Sequence, residues 1–81
     1  MTRILLFGSL GERLGRELAL DLDGAPTVAD IRRELARRHP EAAGDLDAAR
    51  ARALVNDESA SEERMVGSAD EIAFLPQLSG G

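Results

Sequence analysis

One stretch of the sequence, between Thr27 and Pro40, has the periodicity of an amphipathic helix. The apolar positions that recur at helical spacing are Val28, Ile31 and Leu35. The arginines between them, including Arg32, occupy the other faces of the helix and are expected to be solvated. Thr27, followed three residues later by Asp30, predicts the N-cap, and Pro40 predicts an end at about His39. A helix with one apolar stripe must bury that stripe against another element. In a chain this short we expect that element to be a sheet, one face of which the helix covers.

Four further segments have the apolar patterning of strands. They are RILLFG at 3–8, ELALDL at 17–22, RALVN at 52–56 and EIAFLP at 71–76. The connection after the first strand has room for a helical turn or a loop. Asn56 and Asp57 predict a turn, and residues 59–70 are expected to form a polar loop anchored by Met65 and Val66. The sequence therefore predicts an α+β fold, with a mixed four- to five-stranded sheet and one main helix packed across one face.

The first and last predicted strands are apolar on both of their faces. If these strands are neighbours, one face meets the helix and the other carries a second group of apolar side chains. That second group comprises Leu5, Phe7, Ala73 and Leu75. An exposed apolar patch of this kind on a small domain indicates a surface that binds a partner protein.

Composition excludes several classes of function. The sequence has no cysteine, which removes disulfides and thiolate chemistry and is typical of a reducing compartment. A net charge of -5 argues against binding to nucleic acid or to anionic membranes. The apolar run from Ile4 to Phe7 is too short for a signal peptide or a membrane span, so we expect a cytoplasmic protein.

The sequence offers no catalytic constellation of its own. Lysine and tyrosine are absent as well as cysteine, and the single histidine, His39, lies at the predicted helix end, where it is expected to interact with terminal carbonyls. The acidic residues of the loops show no metal-ligand spacing and are expected to be solvated. These are Glu12, Glu62, Glu63 and Asp70. We therefore predict no metal site and no acid–base catalysis by this chain.

The sequence ends on Gly80 and Gly81. Glycine loses more conformational freedom on ordering than other residues, so a diglycine contributes little to folding. Without side chains, however, it is slim enough to enter a narrow channel and to present a carboxylate there. We predict a folded domain over residues 1–76 and a flexible diglycine tail over residues 77–81.

Several motifs, in this order, make the whole chain resemble the small subunits of molybdopterin synthase, the MoaD-type sulfur carriers. They are FGSLGERLG at 7–15, PTVADIRREL at 26–35, VN at 55–56, DEIAFLP at 70–76 and SGG at 79–81. The resemblance implies the ubiquitin-like β-grasp fold. It also implies that the chain acts as the sulfur-donating subunit of a sulfurtransferase complex, in the biosynthesis of the molybdenum cofactor.

The resemblance implies the chemistry of the tail. Gly81 would be adenylated with ATP by an E1-like activating enzyme, and sulfur from a donor protein would convert it to a thiocarboxylate. The large subunit of the synthase would receive this sulfur and pass it to a cyclic pyranopterin precursor, with Gly80 keeping the tail slim. No cofactor would be bound stably. The implied docking contacts are Phe7, Leu75, Pro76 and Leu78.

Three alternatives stay open. The same tail chemistry serves sulfur carriers for thiamin or cysteine synthesis, although the ending FLPQLSGG favours the molybdopterin type. A ubiquitin-like protein modifier would instead become linked to the lysines of target proteins. Finally, the diglycine could be incidental in a simple binding module.

Overall fold

The computed structural model describes residues 1–77, which contain five strands and three α-helices. In chain order the elements are β1 (Thr2–Leu6), α1 (Ser9–Leu14), β2 (Glu17–Leu20), α2 (Val28–Arg38), α3 (Ala43–Leu46), β3 (Ala51–Val55), β4 (Glu58–Ser59) and β5 (Glu71–Pro76). A short 3-10 turn over Pro40–Ala42 joins α2 to α3.

The five strands form one mixed sheet in the order β2-β1-β5-β3-β4. The first and last strands lie side by side at the centre and run parallel, whereas the other pairings are antiparallel. The longest helix, α2, packs across one face of this sheet. This is the ubiquitin-like β-grasp fold, and it confirms the predicted α+β class with one main helix on a mixed sheet.

Helix α2 begins and ends close to where the sequence predicts. The Thr27 hydroxyl accepts a hydrogen bond from the Asp30 N–H at 3.2 Å, and the Asp30 carboxylate accepts one from the Thr27 N–H at 2.9 Å. This reciprocal pair satisfies two of the N–H groups that have no partner inside the helix. At the other end, the His39 N–H donates to the Leu35 carbonyl at 2.8 Å.

The core lies between α2 and the inner face of the sheet. The predicted helical stripe is fully buried, and it meets apolar side chains from β1, β5 and β3. The largest of the buried side chains are Phe74, Ile4, Leu6, Leu10, Ile31, Leu35, Leu46 and Ile72. Burial of this apolar surface is the main term that stabilises so small a domain.

The prediction that Arg32 is solvated is wrong. Arg32 is 8% exposed, and its guanidinium donates to the carbonyls of Leu46 at 2.6 Å and Ala51 at 2.8 Å. It also makes a two-point contact with the Glu62 carboxylate, at 2.8 and 3.0 Å, and lies 5.1 Å from the centre of the Phe74 ring. Its charge is tolerated because every side of the guanidinium has a partner, and these partners connect α2 with α3, β3 and the following loop.

The predicted turn at Asn56 and Asp57 is confirmed, and it connects a hairpin. Both residues have positive φ angles, 51° and 69°, as a two-residue hairpin turn with the right twist requires. The hairpin pairs β3 with β4, a two-residue strand whose second residue, Ser59, lies in the segment predicted to be a loop. The sequence ELALDL likewise forms a shorter strand than predicted, since β2 ends at Leu20.

The segment after β4 is held by one of its two predicted anchors. Val66 is buried in the core, but Met65 is 56% exposed, so the prediction for Met65 is wrong. The backbone explains the difference: the Val66 N–H donates to the Pro26 carbonyl at 2.8 Å, which turns the Val66 side chain under the start of α2. No helix within residues 1–77 is long and apolar enough to cross a membrane.

Candidate functional site

The face of the sheet opposite α2 carries a contiguous row of apolar side chains. Leu5 and Leu54 both lie opposite Ala73 in the strand pairing, so these three side chains share a face. Leu75 follows two residues later on β5, and Phe7 follows β1, with its N–H donating to the Phe74 carbonyl at 3.2 Å. We call these five residues, Leu5, Phe7, Leu54, Ala73 and Leu75, the outer apolar strip.

The outer apolar strip is accessible to a partner. Phe7 is 46% exposed, and Leu5, Leu54 and Leu75 are half-buried, whereas Ala73 lies at the bottom between them. The structure thus brings together the four residues that the sequence places on this face. Their role in docking, and that of Pro76, stays a prediction.

Leu54 is the member of the strip that the sequence analysis missed. Ala51, Ala53 and Val55 of β3 are buried towards α2, so the alternation of the strand turns Leu54 to the opposite face. The three inward side chains are small, which makes the alternation weak as a sequence signal. Only the pairing of β3 with β5 shows that Leu54 lies beside Ala73.

A network of charges bounds one end of the strip. The Arg3 guanidinium contacts the Glu17 carboxylate at 2.8 Å and the Glu71 carboxylate at 3.0 Å. The hydrogen bond to Glu17, followed by the negative charges of Glu17 and Glu71, raises the pKa of Arg3 above its ordinary value. At this end of the strip the positive charge of arginine is therefore matched by carboxylates of the same chain.

The other end of the strip is where the chain leaves the sheet. Pro76 packs against Gly8, which has a φ of 65°, and a Cβ on Gly8 would lie 2.7 Å from the Pro76 ring. One residue later, the Gln77 N–H donates to the Arg50 carbonyl at 2.8 Å. These contacts fix the direction of the chain up to Gln77. We call this region, from Pro76 to Gln77, the tail exit.

Three of the predicted functional residues follow the tail exit. Leu78, Gly80 and Gly81 lie outside the residues that the structure describes. The predicted boundary between a folded domain and a tail is thus not tested, although β5 ends at Pro76.

Two of the motifs behind the family resemblance contact each other. The Asn56 side chain accepts a hydrogen bond from the Glu71 N–H at 3.0 Å and donates one to the Asp70 carboxylate at 2.9 Å. The motif VN at the end of β3 therefore ties the hairpin turn to the motif DE at the start of β5. This contact positions the strand that leads to the tail exit.

Three of the polar residues considered as catalytic candidates, Glu62, Asp70 and His39, have partners within the domain. Glu62 pairs with Arg32, and hydrogen bonds from the Gly67 N–H and from Asn56 lower the pKa of Asp70, so the expectation that both carboxylates are merely solvated is wrong. The His39 imidazole lies 3.8 Å from the Glu41 carboxylate, and it is the His39 backbone that meets a helix carbonyl. Within residues 1–77, no three acidic, histidine or cysteine side chains are grouped as ligands for a metal ion.

Comparison with known proteins identifies the family. A family model described as "ThiS family" matches residues 4–81. The chain belongs to the ThiS family. ThiS-family proteins of this kind are ubiquitin-like sulfur carriers or protein modifiers, and ThiS-like carriers work with E1-like activating enzymes and with partner enzymes. No curated protein matches the sequence significantly.

Two solved structures resemble this ThiS-family chain over nearly their whole length. The crystal structure of SAMP1 from Haloferax volcanii is 31% identical in sequence, covers 99% of this chain and 98% of its own, and has a TM-score of 0.79. The crystal structure of H. volcanii small archaeal modifier protein 1 is 28% identical, covers 95% of this chain and 97% of its own, and has a TM-score of 0.82. Both likenesses support the same β-grasp fold.

Proposed function

We propose that this ThiS-family chain is the sulfur-carrying small subunit of a molybdopterin synthase, with Gly81 as the residue that bears sulfur. The observation that carries the proposal is that the outer apolar strip runs along β5 and ends at the tail exit. A partner that covers the strip would therefore receive the following residues, including the diglycine, directly. This arrangement suits a domain that docks by one face and delivers its terminus.

The chemistry proposed for the tail needs no catalytic side chain on this chain. A carboxylate is a poor electrophile, and attack of its oxygen on ATP, with pyrophosphate leaving, activates it as an acyl adenylate. A persulfide of the donor protein then displaces AMP at the carbonyl carbon of Gly81 and forms an acyl disulfide. A second protein thiol cleaves its S–S bond, which leaves the thiocarboxylate on Gly81 and a disulfide between the donor cysteine and that thiol. The thiocarboxylate sulfur would attack the cyclic pyranopterin precursor in the large subunit. The acid and base groups for these steps would belong to the partner enzymes.

Intact-mass spectrometry tests the first part of the proposal. When the chain is coexpressed with its activating enzyme and sulfur donor, its mass should increase by the difference between sulfur and oxygen. A variant that lacks Gly81 is the control, because its terminal carboxylate lies on Gly80, one residue short of the reacting position, while residues 1–77 are unchanged. An unchanged mass of the full chain, or an equal increase in the shortened one, would contradict the assignment of Gly81.

Transfer to the precursor tests the molybdopterin assignment. The chain in its thiocarboxylate form, mixed with the large subunit and the cyclic pyranopterin precursor, should yield the dithiolene product. Enzymes of thiamin or cysteine synthesis, offered the same thiocarboxylate, should be slower acceptors. Faster transfer to one of these enzymes would keep the sulfur-carrier function but assign it to another pathway.

A second candidate function, protein modification, is favoured by the likeness to the small archaeal modifier protein of H. volcanii. A modifier would appear as higher-mass conjugates in which the diglycine is linked to lysines of target proteins. All ten basic residues of this chain are arginine, so such conjugates would not extend through lysines of further copies. Target lysines in cell extracts that carry residues 65–81, the fragment that trypsin would leave because Arg64 is the last basic residue, would support this function, and it is compatible with sulfur transfer.

A further inference from the structure

An open cleft of about 680 Å³ lies beside the tail exit. It shares Leu75 with the outer apolar strip but extends beyond the strip, because it opens at the β3 edge of the sheet. The cleft is lined chiefly by Arg52, Ala53, Ser59, Leu75, Pro76 and Gln77.

The cleft exists because β4 is short. Its two residues pair with Leu54 and Val55, so within residues 1–77 the first half of β3 has no strand beside it on that side. The Ala51 carbonyl on this open edge accepts its hydrogen bond from Arg32 instead of from a strand. Arg32 and Glu62 thus form the floor of the cleft as a pair without net charge.

The charge at the wall of the cleft is not neutralised. Arg52 points into the cleft, where it donates to the Ser59 hydroxyl at 3.2 Å. Most arginines of the chain form an ion pair with a carboxylate within 4 Å. Among the residues that the structure describes, no carboxylate lies that close to Arg52, Arg50 or Arg16.

These three arginines lie at one end of the sheet. Because β2 and β3 run antiparallel to β1 and β5, the start of each lies at the end where β5 finishes. Arg16 directly precedes β2, and Arg50 and Arg52 flank the first residue of β3. In a chain of net charge -5, the arginines of residues 1–77 that have no carboxylate partner are therefore concentrated around the tail exit.

We propose that the cleft binds a carboxylate-bearing segment of the activating enzyme while the tail enters that enzyme's active site. Arg52 would form the ion pair with the carboxylate, and Ser59 would donate a second hydrogen bond. Leu75 and Pro76 would pack against the aliphatic part of the same segment. A negatively charged partner surface is repelled by most of this chain, so an attractive site beside the tail exit orients the complex.

This proposal rests on the function proposed above, since it requires an enzyme that adenylates Gly81. It selects the activating enzyme as the occupant because ThiS-like carriers work with such enzymes. It goes beyond that function by assigning the binding of the activating enzyme to the cleft, and by specifying that the enzyme contributes a carboxylate.

The test is ATP–pyrophosphate exchange by the purified activating enzyme, with Arg52→Glu compared with Arg33→Glu. Both variants change the net charge equally, but Arg33 lies on α2, is 75% exposed and does not line this cleft. Arg52→Glu should raise the KM for the carrier at least about tenfold and leave kcat nearly unchanged, because binding and not chemistry is affected. Arg33→Glu should change the KM less than about threefold.

A second readout is the dependence on salt. The KM of the unaltered chain should rise with ionic strength, whereas that of Arg52→Glu should respond much less, since an attractive charge pair has been removed. Circular dichroism should show that both variants fold, and Arg52→Gln, which removes the charge without reversing it, should give an intermediate KM.

Two outcomes would overturn the proposal, and they are distinguishable. If the unaltered chain supports exchange and Arg52→Glu has the same KM as Arg33→Glu, the cleft is not the docking site, although Gly81 is still adenylated. If the unaltered chain supports no exchange with its activating enzyme, the proposed function fails and the role of the cleft fails with it.

Discussion

Arg32 shows how a single charged residue can organise a small domain. Its guanidinium reaches two main-chain carbonyls and one carboxylate that belong to three different parts of the chain. Each of these groups would otherwise be a buried or half-buried acceptor without a donor. The network therefore contributes to stability chiefly because its loss would leave two carbonyls and a carboxylate without a hydrogen-bond donor. The attraction between the charges themselves contributes less.

Replacing Arg32 with alanine should reduce the free energy of unfolding by about 3 kcal/mol. This value is at the lower end of the range for broken buried ion pairs, because the Glu62 carboxylate that is left behind is still accessible to water. Urea unfolding followed by circular dichroism measures this loss. Arg33→Ala, next along the helix, removes an exposed ion pair and should cost less than about 1 kcal/mol. Equal losses in the two variants would show that the buried network does not contribute as described.

Gly8 is a second residue whose replacement we expect to reduce the stability of the domain. Gly8→Ala combines a backbone conformation that favours glycine with a collision against Pro76, so it should reduce stability by about 2–3 kcal/mol. Gly24→Ala is the matched control, since Gly24 also has a positive φ, 76°, but no atom lies within 4 Å of its added Cβ. Gly24→Ala should cost about 1 kcal/mol. If thermal unfolding ranks the two variants in the opposite order, the contact with Pro76 is not restrictive.

At the scale of the element, the exposed side of α2 is held by charges one turn apart. The Glu34 carboxylate accepts hydrogen bonds from Arg37 at 2.6 Å and Arg38 at 2.7 Å. These bonds, to Arg37 first and then Arg38, lower the pKa of Glu34 from 4.5 to about 2. The arrangement places acid before base along the helix, which also suits the helix dipole.

The depressed pKa of Glu34 sets the direction of a pH effect on α2. A group whose pKa is lower in the folded chain stabilises the fold above its unfolded pKa, and this contribution is lost as the pH falls from 4.5 towards about 2. Titration of Glu34 by NMR should show a midpoint near 2 in the unaltered chain. The double variant Arg37→Ala, Arg38→Ala should return the midpoint towards 4.5. A midpoint already at 4.5 in the unaltered chain would mean that these ion pairs do not persist in solution.

At the scale of the whole molecule, the two faces of the sheet have different surroundings. The inner face is covered by α2 and forms the core, whereas the outer apolar strip is covered by nothing within residues 1–77. One helix cannot cover both faces, and the fold therefore leaves an apolar surface that continues to the tail exit. A partner enzyme is the natural complement of such a surface.

Leu75→Glu tests the strip as an interface. The substitution should weaken binding to the large subunit by about 2 kcal/mol or more, because it places a charge within an apolar contact. Met65→Glu is the control, since Met65 is exposed and lies outside the strip. Isothermal calorimetry should find the affinity of Met65→Glu close to that of the unaltered chain. If both variants bind equally well, the outer apolar strip is not the surface used.

Much of the candidate site was accessible from the sequence. The alternation of β1 and β5 placed Leu5, Phe7, Ala73 and Leu75 on one face, because side chains alternate strictly along a strand. Leu54 escaped prediction since its neighbours on β3 are too small to mark the inner face. The cleft escaped entirely, because it depends on where β4 stops.

The sequence by itself determined the features that local forces specify. These features depend on residues within a few positions of each other. They are the cap at Thr27, the apolar stripe of α2, the turn at Asn56 and the alternation of side chains along the long strands. Only the tertiary structure decided that β1 and β5 are parallel neighbours, that Arg32 is buried, and that a cleft with an unpaired arginine opens beside the tail exit. These features depend on contacts between residues that are tens of positions apart in the sequence, such as Arg32 and Glu62. A local sequence pattern does not specify which distant residue a side chain will contact.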